Sequence, residues 1–181
     1  MDAMIKTLEQ YDSQVNRCKD IFSKKMRDYG TSWRILRPSS ITDQIYIKAK
    51  RIKTLEETDS KVGEGIFEEY QAIYNYCVMG LIQLEMGTAE DPQMDENLVE
   101  SKYAQQSDDI RSLMMKKNHD YGEAWREMRT SSLTDMILQK LMRTKQIESN
   151  QGKTIASEGI DANYSDMANY AVFAMIQMTE Q

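Results

Sequence analysis

The feature that most restricts what this chain can fold into is a phrase it contains twice. "DYGTSWRILRPSSITDQI" begins at Asp28, and "DYGEAWREMRTSSLTDMI" begins at Asp120. The surrounding segments, Lys24–Glu56 and Lys116–Glu148, align without a gap and agree at roughly half their positions. After a two-residue insertion a second pair follows: "EGIFEEYQAIYNYCVMGLIQL" from Glu64 and "EGIDANYSDMANYAVFAMIQM" from Glu158. One unit has been written twice, so both halves must satisfy the same packing pattern. The turn-rich "MGTAEDPQMDEN" divides the chain into a first repeat (1–87), a linker (88–97) and a second repeat (98–181).

Each unit reads as three helices. Ile5, Leu8, Tyr11, Val15, Cys18, Phe22 and Met26 recur at three- and four-residue steps, and Gly30 follows as a stop. A second helix is expected to start at "SSITD", with Ser40 as cap and Asp43 three positions on, repeated as Ser132 and Asp135. The third is expected over Lys61–Met86, with its counterpart over Thr154–Thr179. Only 2 Pro and 8 Gly interrupt the chain, which suits an all-α protein. Three helices with an apolar stripe close a core poorly alone, whereas two copies about a pseudo-twofold axis close it well. The expected fold is therefore one helical bundle of two tandem three-helix repeats. The same duplicated surface allows a homodimer of the fused unit.

No apolar run reaches the ~20 residues of a membrane span, and the acidic N-terminus is unlike a secretory signal. Cys18 and Cys77 lie in apolar helical patterns without motif spacing, so they read as buried hydrophobes in a reducing cytoplasm. The net charge of −6 argues against nucleic-acid backbones and anionic membranes as partners.

Chemistry concentrates in two places. On the third helix Glu64, Glu68 and Asn75 share a stripe, and Glu158, Asp166 and Asn169 share the corresponding one. Carboxylates flanked by buried residues must be paired, protonated or bound to a cation. With Asp43 and Asp135 they are candidate Mg²⁺ ligands, and Glu64, Glu158 and Asp166 candidate catalytic groups. The alternative is a set of structural salt bridges to the second helix, which offers Lys48, Arg51 and Lys53, then Lys140, Arg143 and Lys145. Asp43 and Asp135 also have an ordinary reading as helix-start residues. The loop phrase sets Trp33, Arg34 and Arg37, and again Trp125, Arg126 and Arg129, beside a helix end. A Trp there either stacks on a nucleobase while Arg grips phosphate, or plugs the gap between helices while the arginines bond C-terminal carbonyls. If the second helix faces inward, Lys48, Arg51, Lys140 and Arg143 suit a polyphosphate. His119 aligns with Arg27 and is a poor candidate for a base or ligand.

The pattern "DYGxxWRxxR…SSxTDxIxxKxxRxK…EG…NY" resembles the nucleotide modification associated domain family over nearly the whole chain, once per repeat. The order of helix, Trp loop, charged helix and acidic helix is more distantly similar to the all-α nucleoside triphosphate pyrophosphatases of MazG and dimeric dUTPase type. That resemblance implies Mg²⁺ held by Glu64 and Glu68, and by Glu158 and Asp166, with release of pyrophosphate. The chain departs from it in two respects. The preceding helix has Asp43 with Lys48 and Arg51 in place of a paired-acid ExxE motif. In addition, Ala72 stands opposite Asp166, and Ala162 opposite Glu68. The expected function is nucleotide binding, with a Mg²⁺-dependent pyrophosphohydrolase as its catalytic form. A non-catalytic helical binding or assembly module is the alternative.

Overall fold

The computed structural model describes residues 2–58 and 65–180. It contains α1 (Ala3–Tyr29), α2 (Pro38–Glu57), α3 (Ile66–Met86), α4 (Glu96–Tyr121), α5 (Thr130–Ser149) and α6 (Ile160–Glu180). Short 3-10 turns at Ser32–Ile35 and Ala124–Glu127 carry the two tryptophans. No strand occurs among the described residues, so the all-α expectation of two three-helix repeats holds. No described helix is long and apolar enough to cross a membrane.

Several boundaries differ from the sequence reading, each for a local reason. Asp95 accepts from the Asn97 amide at 2.8 Å and starts α4 inside the expected linker. The second helices begin earlier than "SS". Arg37 and Arg129 occupy the position before the helix, with no side-chain cap, and Pro38 takes the first helical position of α2. Ser40 and Ser132 are therefore inside the first turn and cap nothing. The Thr154–Gly159 stretch is not helical, because Ile155, its sole large apolar residue, is fully exposed and gives a helix nothing to bury. The first part of the expected third helix, 61–64, lies outside the described residues.

The helices form three layers. The two apolar helices, α3 and α6, share the most extensive contact and are buried on nearly every side. On one flank α2 packs on α3, α5 packs on α6, and α2 meets α5; on the other flank lie α1 and α4. Since each repeat contributes one helix to every layer, neither owns a complete core. Cys18 and Cys77 are both fully buried and unoxidised within it, and burial pushes the Cys18 thiol up to about 12.

Buried tyrosines tie the repeats together. A buried hydroxyl needs a partner, and each of these finds one on another helix. Tyr11 of α1 donates to Asn169 of α6 at 2.7 Å, and Tyr103 of α4 donates to Asn75 of α3 at 2.8 Å. The same two amides donate to carbonyls, Asn75 to Cys18 at 3.0 Å and Asn169 to Ile110 at 3.2 Å. On the other flank Tyr70 of α3 meets Thr134 of α5 at 2.5 Å, and Tyr164 of α6 meets Thr42 of α2 at 2.7 Å. Every one of these pairs has its image in the other repeat, as a pseudo-twofold axis requires.

The symmetry fails at Gly80, whose counterpart is Ala174. A Cβ at Gly80 would sit 2.8 Å from Cε2 and 3.0 Å from Cζ of the Tyr164 ring. That ring is fully buried and anchored at its hydroxyl, so it has nowhere to move. Gly80→Ala gains about 0.5–1 kcal/mol of helix propensity and loses about 1–3 kcal/mol to overpacking. A lower urea midpoint is expected; a raised midpoint would show that the ring does not lie against α3.

Candidate functional site

The second and third helices of each repeat meet through charge. In the first repeat Glu69, 8% exposed, lies 3.1 Å from Arg51 and 3.6 Å from Lys48. In the second, Asp166, 4% exposed, lies 2.6 Å from Lys117 and 3.0 Å from Lys140. Lys48 and Lys140 are equivalent, but the acid they face has moved by one helical turn. This explains why Ala72 stands opposite Asp166: the first repeat carries its buried acid at Glu69 instead. Burial alone would lower the Lys117 ammonium, but the bond to Asp166 and the charge of that carboxylate, with smaller help from Tyr170 and Glu158, together hold the group above its ordinary value.

The expected metal ligands do not converge. Asp43 and Asp135 are exposed on the α2–α5 flank, where Asp43 pairs with Lys145 at 3.4 Å and Asp135 with Lys53 at 3.9 Å. Neither lies in the first turn of its helix, so the helix-start reading does not apply to them. Glu158 is exposed in the loop before α6, off the stripe to which helical periodicity assigned it. Glu68 is exposed on α3, and Glu64 lies outside the described residues. No three acidic, His or Cys side chains are grouped to hold an ion among the described residues. Among the described residues Asp166 meets two ammonium groups, those of Lys117 and Lys140.

The candidate phosphate-binding residues have structural partners as well. Arg34 is buried and donates to the Gly87 carbonyl at 2.8 Å, beyond the C-terminus of α3. Arg126 donates to Glu123, Thr7 and Gln10 at 3.0, 2.8 and 2.6 Å. Arg37, Arg129 and Arg143 are exposed. Asn75 and Asn169, expected to contact substrate, spend their amides on the tyrosine and carbonyl bonds described above.

Sequence reasoning missed two further carboxyls. Glu148 accepts from Thr42 at 3.0 Å and Glu56 from Thr134 at 3.2 Å, so each Tyr–Thr clasp ends on a glutamate. Burial lifts both carboxyls above their ordinary range, only partly opposed by the threonine hydroxyls.

The Trp turns are held alike and surrounded differently. Gln83 donates to the Arg34 and Leu36 carbonyls at 2.9 and 2.6 Å; Gln177 donates to those of Trp125 and Met128 at 2.8 and 2.9 Å. In the second repeat Trp125 is satisfied on all sides. Phe173 stacks on it at 4.3 Å and 5°, the Arg126 guanidinium lies 4.4 Å from the ring centroid, and the indole donates to Asn118 at 3.1 Å. In the first repeat Met79 replaces Phe173 and Met26 replaces Asn118. Phe22 meets Trp33 edge-on at 6.2 Å and 61°, and the buried Trp33 Nε1 has no hydrogen-bond partner. Beside it opens a cavity of about 720 Å³, bordered by Trp33, Phe22, Met79, Gln71, Glu68 and Lys25 among others. Gln71 is 5% exposed, and its amide bonds to no described residue. The volume is that of a small-molecule site. Gln71 and Met79 carry no motif; only their mismatch with Ser165 and Phe173 in the repeat alignment marks them.

The model of nucleotide modification associated domain 1 matches the chain twice, over residues 25–84 and 117–178. The chain belongs to that family. No curated protein and no solved structure matches it. In this nucleotide modification associated domain protein both matched stretches span the Trp turn and reach α3 or α6. The family pattern thus covers the cavity in one repeat and its filled counterpart in the other.

Two outcomes follow from the ionisable groups. Asp166→Asn leaves Lys140, largely buried, without its counter-charge, and should cost about 3 kcal/mol in chemical denaturation. Unchanged or increased stability would return Asp166 to the role of a strained ligand. Glu56 and Glu148 have raised pKa values, so their contribution is fully present below the unfolded pKa and lost as pH rises through the folded value. The double variant Glu56→Gln, Glu148→Gln should therefore be more stable than wild type at pH 7. That advantage should vanish below about pH 4, as a pH series of urea midpoints would record.

Proposed function

We propose that this protein binds a nucleotide, and that the base of the ligand enters the first-repeat cavity against Trp33. The observation that carries this reading is a cavity of small-molecule size bordered by Trp33, whose indole N–H has no partner, and by Gln71, whose amide bonds to no described residue. A heteroaromatic ring offers a flat surface to the Trp33 ring and edge acceptors and donors to the Gln71 amide. Family membership points the same way, and a small ligand suits a chain of net charge −6 better than a nucleic-acid backbone does.

The pyrophosphohydrolase form of the reading draws less support, because the carboxylates it needs are committed to lysines or dispersed. The alternative of a non-catalytic binding module is favoured by that same pairing of Glu69 and Asp166. Nucleotide binding without a resident metal is compatible with both the cavity and the ion pairs.

Titration with nucleoside triphosphates, followed by tryptophan fluorescence and by melting temperature, tests the proposal. At least one base should quench the emission and raise the melting temperature. Base–aromatic stacking is worth about 1–3 kcal/mol, so Trp33→Leu should weaken binding roughly 5- to 150-fold, while Trp125→Leu leaves it within about threefold of wild type. No response to any base at millimolar concentration would remove nucleotide binding. Metal-dependent release of pyrophosphate in the same samples would restore the enzyme.

A further inference from the structure

We infer that the site selects the ring of its ligand rather than the phosphates, that each chain has one such site, and that Phe173 is a built-in occupant of the second. This rests on the nucleotide reading above and sharpens it to a ligand class: a nucleobase or nucleoside, with any phosphates left in solvent.

The second repeat supplies the reason. Phe173 lies flat on Trp125, at 4.3 Å and 5°, in the place that Met79 takes beside the cavity of the first repeat. A planar ring is therefore a natural filling for this pocket of the shared fold. The aromatic and thioether side chains have changed places between the repeats. Phe22 does not stack on Trp33 but meets it edge-on at 61°, and the Arg34 guanidinium lies 5.9 Å from its centroid. In the second repeat Met114 stands at the position of Phe22, and Phe173 covers a face of Trp125. The polar groups have diverged in step. The Trp125 indole donates to Asn118, whereas the Trp33 indole has Met26 at that position and no partner. Gln71, 5% exposed, borders the cavity, where the second repeat has Ser165.

Cations explain why the phosphates contribute little. Arg34 is spent on the Gly87 carbonyl, and Lys48 and Arg51 on Glu69. Among the described residues, Lys25 is the one cationic side chain bordering the cavity, and the Glu68 carboxylate on the same border offsets its charge. A triphosphate would find no bidentate grip there.

Calorimetric titration of the full chain with adenosine, guanosine, cytidine and uridine, and with their triphosphates, gives the test. One equivalent per chain is expected for the preferred base, with nucleoside and triphosphate affinities within about threefold. Met79→Phe, which copies the second repeat, should weaken the nucleoside at least tenfold without lowering the melting temperature. Should that variant fail to fold, Gln71→Ser gives the same reading, with an expected loss of about fivefold or more. Phe173→Ala should add a second, weaker equivalent by uncovering Trp125. A triphosphate bound more than thirtyfold tighter than its nucleoside, or two equivalents in the wild type, overturns the inference and leaves nucleotide binding standing. Wild type that takes neither nucleosides nor triphosphates overturns both.

Discussion

Everything in this molecule depends on the contact between α3 and α6. These two helices are apolar on nearly every side, and a helix of that kind must be covered all round. Neither three-helix unit has enough surface to do so, and the duplication resolves the problem by giving each apolar helix the other as its inner neighbour. The polar groups that this burial traps are then met across the axis. Tyr70 and Tyr164 reach threonines on the opposite repeat, and Tyr11 and Tyr103 reach asparagines on it. Satisfying those hydroxyls fixes the register of the helices more tightly than apolar contact alone, because a missed bond in the core costs a full desolvation penalty.

The charges follow from the same arrangement. With α2 and α5 lying over the apolar pair, any acid on the covered side of α3 or α6 sits in a poorly hydrated layer and must meet a cation. Glu69 and Asp166 do so with Lys48 and Lys140, one turn apart in the two repeats. A pair that shifts along the helix while keeping its lysine behaves as a packing device. This accounts for acids that, read along the chain, have the look of metal ligands.

What remains after these requirements are met differs between the halves. The second repeat satisfies Trp125 with Phe173, Asn118 and Arg126, and so completes its own core. The first repeat leaves a cavity of about 720 Å³ beside a buried indole N–H without a partner. Because the fold is already closed by α3 and α6, the first repeat bears this opening without losing its scaffold. Duplication thus lets the two copies of the Trp turn differ: one is a filled joint and the other borders a cavity.

Much of this was legible in the amino-acid sequence, and the limit falls at a definite place. The repeated phrase, the apolar periodicity and the scarcity of glycine and proline determined the number of helices, their order and the pseudo-twofold relation, since all three are local or pairwise properties of the chain. Burial of Cys18 and Cys77 followed from the same spacing. Periodicity carried helix three through Glu158, but whether a turn forms there depends on a neighbour to bury it, and Ile155 has none. Tertiary structure alone decided which cation each carboxylate meets, because Asp43 finds Lys145, and Asp166 finds Lys117, only across helix interfaces. It alone also decided that Trp33 borders a cavity while Trp125 is covered by Phe173. The two tryptophans stand in nearly identical phrases, and the difference comes from Met79 and Phe173, remote in sequence and brought against the rings by folding.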